Sequence, residues 1–420
     1  SYFTERGNPT RAAFATTMLA LVMRHLNQMD RVRELFAEAR AVLEAQPPSW
    51  ELNRVYAAMA GDAMLRSQHG ESFEFAQKAI DLADALDRPD LKVRPLQARG
   101  WARWDQRDVA GAVADLGAAV ELGVATGFPG EAAVAYNNLG GLRWNAEGPL
   151  AGLETYTEGM AFSTRRGMDG TRLWSLAEST LPLYDLGRWD EVLTTADEVA
   201  TEAKARSWSQ PAGFSEPMRV KVLFMRGDLA AAKTVAAAIL PAAREAGDPQ
   251  LVIPGLEVDS LLAVAEGRGD DARHALLEIE RITAETTPLI LSAVAELIRV
   301  ACQAGDVALA RRLADANLAI PGRPENIVVT GRAVIAETEG RFEEAAAGYR
   351  DAAERWMEYG SVPEQGQALI GQGRSLLALG RPGEALESLR SARELFASMS
   401  ASRPLTEIDD LLAQTSARAG

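Results

Sequence analysis

Apolar residues return along this chain with two nested periods. Within short stretches they fall at helical spacing, and the stretches themselves recur every 35–41 residues. Ten residues mark the successive turns: Asp30, Glu71, Arg107, Gly148, Gly187, Gly227, Gly267, Gly305, Gly340 and Gly380. Positions two, five, nine and twelve after each marker share one face of an α-helix with 3.6 residues per turn. They read Val32, Leu35, Ala39, Val42 in the first repeat and Phe342, Ala345, Tyr349, Ala352 in the ninth. Of forty such positions only Thr157, Gly269, Asn317 and Pro382 are not apolar, where about half would miss by chance in a chain of this composition. Alanine holds the fifth position in seven repeats, which predicts a close approach of two helices there.

A second helical stretch precedes each marker, as in LWSLAESTLPLYDL before Gly187 and QALIGQGRSLLAL before Gly380. The unit is therefore helix, tight turn, helix. Glycine at seven markers supplies the positive φ that ends the first helix, and Pro47, Pro89, Pro129, Pro249, Pro321 and Pro363 are expected to close the second helix or its loop. The nearest approach to a strand pattern, ENIVVTG from Glu325, is short enough to open a helix. One hairpin cannot bury its apolar face alone, so neighbours must stack. The expected fold is all-α: a right-handed superhelical solenoid of about ten helical hairpins over residues 1–402, with 403–420 as a capping helix and tail.

Two stretches, LQARGWARWDQRDVAGAV from Leu96 and LIGQGRSLLALGRPGEAL from Leu369, resemble the tetratricopeptide repeat (TPR), with Gly100 and Gly373 as its mid-helix glycines. In the fourth repeat Gly140 and Gly141 both fit that place. The period near 39 exceeds the usual 34, as in TPR-like arrays at the C-terminal ends of bacterial signalling ATPases. AYNNLGGLRWNAEGPLAGLETYTEGM from Ala135, followed by LWSLAESTLPLYDLGRWDEVL, is similar to the corresponding region of proteins that join a class III adenylate or guanylate cyclase, or a LuxR-type DNA-binding domain, to a P-loop ATPase. The resemblance implies a region that senses or docks partners and controls linked ATPase and output domains.

Composition narrows the partners. A net charge of −15 argues against phosphate backbones and anionic membranes, so neither nucleic acid nor membrane is expected as a direct partner. Only five basic residues are lysines. The one cysteine, Cys302, excludes an internal disulfide framework and sits in a helical pattern as a buried thiol. The most apolar early stretch, AAFATTMLALVM, is too short to span a membrane. A cytoplasmic protein is expected. The chain opens with SYFTERGNPT and ends with SARAG, and a piece of a larger protein is expected.

Catalytic patterns are missing from the sequence. It contains no GxxxxGK[ST] phosphate loop. GRGDDA at Gly267 follows a helical stretch instead of a strand, against a dinucleotide fingerprint, and His25, His69 and His274 lie in different repeats without metal-ligand spacing. Paired carboxylates such as Glu343 and Glu344 read as solvated helix faces. No enzyme activity and no cofactor are expected.

First helices line the concave face in TPR arrays, so groove residues are proposed by offset from the markers. Offsets −13, −6 and −3 give Arg94, Trp101 and Trp104; Trp174, Leu181 and Tyr184; Phe214, Lys221 and Phe224. Asn138 and Asn145 occupy related places, and their amides can satisfy both a backbone donor and an acceptor. The expected occupant is a protein or peptide segment, including upstream domains of the same chain. A small ligand, or homo-oligomer formation along one flank, is the alternative.

Overall fold

The computed structural model describes residues 7–25, 28–66, 68–285, 294–315 and 320–419. Asn317 lies outside them. Among the described residues all regular structure is helical, and the helices follow one another as antiparallel hairpins in a TPR-like α-solenoid. The chain divides into two compact units, Ser1–Leu139 with Arg165–Met168, and Gly140–Thr164 with Asp169–Gly420. The boundary falls inside the helix Pro129–Glu147.

Six of the seven glycine turns are built alike, the glycine N–H donating to the carbonyl three residues back, while Gly148 donates to Arg143 O, five back. All seven marker glycines have positive φ, from 71° at Gly187 and Gly380 to 118° at Gly148. Arg107 takes the same conformation at φ 66° without glycine's freedom. Its backbone N–H donates to Trp104 O and the Asp108 N–H to Arg103 O, as Gly187 and Arg188 donate to Tyr184 O and Leu183 O. These bonds satisfy carbonyls that the end of a helix would otherwise leave unpaired.

The seven alanines at the fifth position, Ala76, Ala112, Ala232, Ala272, Ala310, Ala345 and Ala385, are all completely buried. The mid-helix glycines admit the partner helix: a Cβ on Gly373 would sit 2.6 Å from Leu389 Cδ2, and one on Gly100 would sit 3.1 Å from Leu116 Cγ. In the fourth repeat Gly140 plays this part, because its Cβ would meet the Tyr156 ring at 2.9 Å, whereas Gly141 would reach only the hydroxyl.

The sequence register slips in one place. Leu150, on the expected buried face, is 57% exposed, and Thr157 is exposed as well. Gly152, Leu153, Tyr156, Gly159 and Phe162 form the buried face of Pro149–Thr164 instead. The prolines also differ from expectation. Pro249 and Pro363 stand in the first turn of the following helix, where the missing N–H would have had no partner in any case. In the fifth repeat the first helix is split into Asp169–Glu178 and Thr180–Asp185. Pro182 has no N–H to offer the preceding turn, and Ser179 and Thr180 donate their hydroxyls to Leu176 O and Ala177 O. ENIVVTG lies within the helix Arg323–Thr338.

The second unit folds back on itself. Tyr359 donates its hydroxyl to Trp144 O across 215 residues of chain. Ser361 bonds Asp185 across 176 residues, and Ser402 donates to Arg226 O across the same separation. Gly322, at φ 99°, lets the chain approach Asn145 O so closely that a Cβ would lie 2.5 Å from it. The late repeats thereby close over the first helices of the fourth to sixth.

Candidate functional site

Closure leaves a cavity of about 180 Å³ inside the second unit. Its wall comes from the first helices of successive repeats: Trp144 from Pro129–Glu147, Tyr184 from Thr180–Asp185, and Lys221 and Phe224 from Ala212–Met225. Leu261 comes from Pro249–Ala265, Glu296 and Arg299 from Val294–Gln303, and Arg323 from the start of Arg323–Thr338. Glu364 and Gln367 of Val362–Ala378 and Arg403 and Glu407 of Ser402–Ala419 complete it. The C-terminal helix thus contributes a wall as well as an end.

The charges are ordered by pairing. Arg299 donates two hydrogen bonds to Glu364, at 2.8 and 2.7 Å. Lys221 Nζ lies 2.8 Å from Glu296 Oε2 and 3.6 Å from Glu257 Oε2, with Lys221 and Glu257 almost wholly withdrawn from solvent. Asp185 accepts from Trp144 Nε1 at 2.8 Å and from Ser361 Oγ at 3.0 Å. Arg323 stacks over the Trp144 ring, 4.8 Å from its centroid, and Arg403 over Phe224, at 4.3 Å.

Burial and pairing compete at each group. Burial pushes the Glu257 carboxyl up to about 7, with Lys221 opposing the rise. Burial also raises Asp185, partly offset by Arg323. Glu364 is buried too, yet the charge and hydrogen bonds of Arg299 outweigh that and hold it below the usual carboxylate range. For Lys221, Glu296 and Glu257 overcome burial and raise the ammonium above its ordinary value.

The sequence-proposed groove residues separate. Tyr184, Lys221 and Phe224, with Leu181, line the cavity. Trp174 and Phe214 instead pack on each other at 5.1 Å, Trp174 also stacks on Trp208 at 5.9 Å, and its indole N–H donates to Glu178. The Asn145 amide is spent on Gly141 O. In the first unit Arg94 is exposed and paired with Glu131, Trp101 is half-buried, Trp104 is buried, and Asn138 donates to Gln97.

Offsets −6 and −3 reach the cavity in the fifth, sixth and seventh repeats, where they give Leu181 and Tyr184, Lys221 and Phe224, and Leu261 and Val264. In the later repeats the offsets still reach Arg299, six residues before Gly305, and Gln367, thirteen before Gly380, but they miss Arg323 and Glu364 in the opening turns of the first helices. A signal existed in the sequence: charges interrupting apolar helical runs, such as Lys221 in PMRVKVLFM.

Cys302 is half-buried, and burial raises its thiol above the ordinary value. Among the described residues no group of three or more His, Cys, Asp or Glu side chains is placed to hold a metal ion, and no helix is long and apolar enough to cross a membrane.

No family model matches the chain, and no curated protein matches it. Solved structures do. NprR in complex with its cognate peptide NprX aligns at a TM-score of 0.50 and 12% identity, over 92% of this chain and 99% of that one. The human IFIT1 dimer with m7Gppp-AAAA aligns at 0.48 and 15%, over 97% and 90%. A Rap protein complexed with competence and sporulation factor aligns at 0.45 and 13%, over 87% and 100%. At these identities the likeness is one of fold, and it is the NprR alignment that carries it.

Proposed function

We propose that this chain is a non-catalytic sensing and interaction region, and that the central cavity of its second unit receives a compact ligand. One observation carries the reading: first helices from successive repeats converge on a single cavity, so an occupant touches early and late repeats at once. A ligand so placed would bias how the late repeats pack on Trp144, Asp185 and Arg226, and differential contact of this kind is what couples binding to conformation. A volume of about 180 Å³ is close to that of an engineered cavity of about 150 Å³ that binds benzene. It suits a small molecule or the anchor side chain of a peptide better than an extended segment. NprR, of the same fold, was solved with its cognate peptide, which supports a peptide as one source of that anchor.

The sequence resemblance supports, as the setting of this region, a larger cytoplasmic bacterial signalling protein, where the packing change would be passed to linked ATPase or output domains. Thermal denaturation against a library of metabolites and short peptides tests the receptor reading. A true ligand at a hundred times its Kd stabilises by about 2.7 kcal/mol. A library that leaves the melting temperature unmoved, or a hit that still stabilises a variant with the cavity filled by Leu261→Trp, counts against it.

A further inference from the structure

Arg323 stands apart from the other buried cations around the cavity. Arg299 and Lys221 each have a carboxylate at hydrogen-bond distance. The Arg323 side chain is 8% exposed, and its Nε is withdrawn from solvent with no acceptor. The facing carboxylate, Asp185, is 3.5 Å away, and both its oxygens are engaged by Trp144 and Ser361. A guanidinium carries five N–H donors in one plane, and leaving the Nε–H buried and unmade is costly. The Trp144 ring lies beneath it.

A planar, singly charged acceptor answers this arrangement, since carboxylates accept two parallel bonds from the edge of a guanidinium. Charge balance favours one negative charge over two. Lys221, Arg299, Arg323 and Arg403 around the cavity are matched by Asp185, Glu296, Glu364 and Glu407, so a dianionic phosphate would bring two uncompensated charges where a carboxylate brings one. Leu181, Met218, Phe224 and Leu261 supply an apolar wall for the rest of the molecule. The geometry assigns to Arg323 the carboxylate of a small ligand with a short apolar or aromatic body. This assignment rests on the receptor reading above and names the chemistry its site selects.

Calorimetric titration of the full chain with benzoate, hydrocinnamate and isovalerate, their primary amides, and inorganic phosphate tests it. Arg323→Gln alone would leave Asp185 buried and uncompensated, so the companion is Arg323→Gln with Asp185→Asn, which keeps an acceptor for Trp144 and removes both charges. Val264→Phe and Leu261→Trp fill the cavity, and circular dichroism checks that each variant retains its helix content. At least one acid is expected to bind the wild type roughly tenfold or more tighter than its amide, the strength of a charge-assisted pair. That preference should vanish in the double variant, and binding should vanish in the filled ones. Acids and amides binding alike, or phosphate alone depending on Arg323, overturns the carboxylate assignment and leaves the cavity as the site. No binding by any probe, or binding that survives filling, overturns both.

Discussion

Lys221 Nζ and Glu257 Oε2 face each other at 3.6 Å, with Glu257 fully buried and both its oxygens lacking a hydrogen bond. Lys221, one of only five lysines in the chain, gives its closer contact to Glu296. Glu257 is therefore the strained member of the trio. Burial and the neighbouring Glu296 raise it to about 7, against the pull of Lys221 and Arg323.

That shift has a sign for stability. The folded state holds the Glu257 proton up to about pH 7, while the unfolded carboxyl releases it near its ordinary value of about 4.3. Between those values the folded state binds more protons, so this group's contribution falls as pH rises and is flat above about 7. Glu257→Gln should remove that slope and raise the denaturation midpoint at pH 8 relative to wild type, with little change at pH 4.5. Urea titrations across that range check it. An unchanged slope would show that Glu257 is already ionised at low pH.

Arg299 and Glu364 form the best-satisfied pair in the wall. Glu364→Gln should cost on the order of 3 kcal/mol, because it strands a guanidinium that has little access to water. The apolar double replacement Arg299→Met with Glu364→Leu should recover most of that loss, as buried pairs replaced together often do. A double-mutant cycle by denaturant unfolding reads the coupling, and near-additive losses would contradict it.

Helix contact through glycine predicts a contrast between two alanine substitutions. Gly373→Ala pushes a methyl group to 2.6 Å from Leu389, which is fully buried and has nowhere to move, and should destabilise by about 1–3 kcal/mol. Gly383→Ala, in the helix packed against it, meets nothing within 4 Å and should be neutral or stabilising by up to about 1 kcal/mol. Thermal melts of the two variants side by side settle the point.

Arg107 occupies at φ 66° the place that glycine holds in seven other turns. Arg107→Gly should stabilise by about 0.5–1 kcal/mol, the relief of left-handed strain less glycine's greater freedom in the unfolded chain. A lower melting temperature would mean that the arginine side chain contributes more than its backbone costs.

The hairpins were legible in the sequence because a solenoid is a local code. Each helix buries the face that its own spacing defines, and seven of the ten turns are written in their own glycine. Where the code slipped, at Leu150 and Thr157, it slipped by one residue within one helix, since Gly148 stands one place later in its turn than the other marker glycines, its N–H donating to Arg143 O as that of Arg188 donates to Leu183 O. Tyr184, Lys221 and Phe224 could be placed on the inner face by offset for the same local reason.

Their meeting with Arg323 and Glu364 could not. It depends on how far each hairpin rotates against the next, a small angle set by side-chain fit at every interface and summed over several repeats. Only the folded chain closes Tyr359 onto Trp144 and Ser361 onto Asp185. What the sequence determined was the repeating unit and which helix faces inward. The tertiary structure decided which inward residues share a cavity and that the buried Nε of Arg323 among them is left without a hydrogen bond, because those follow from accumulated geometry that no single repeat contains.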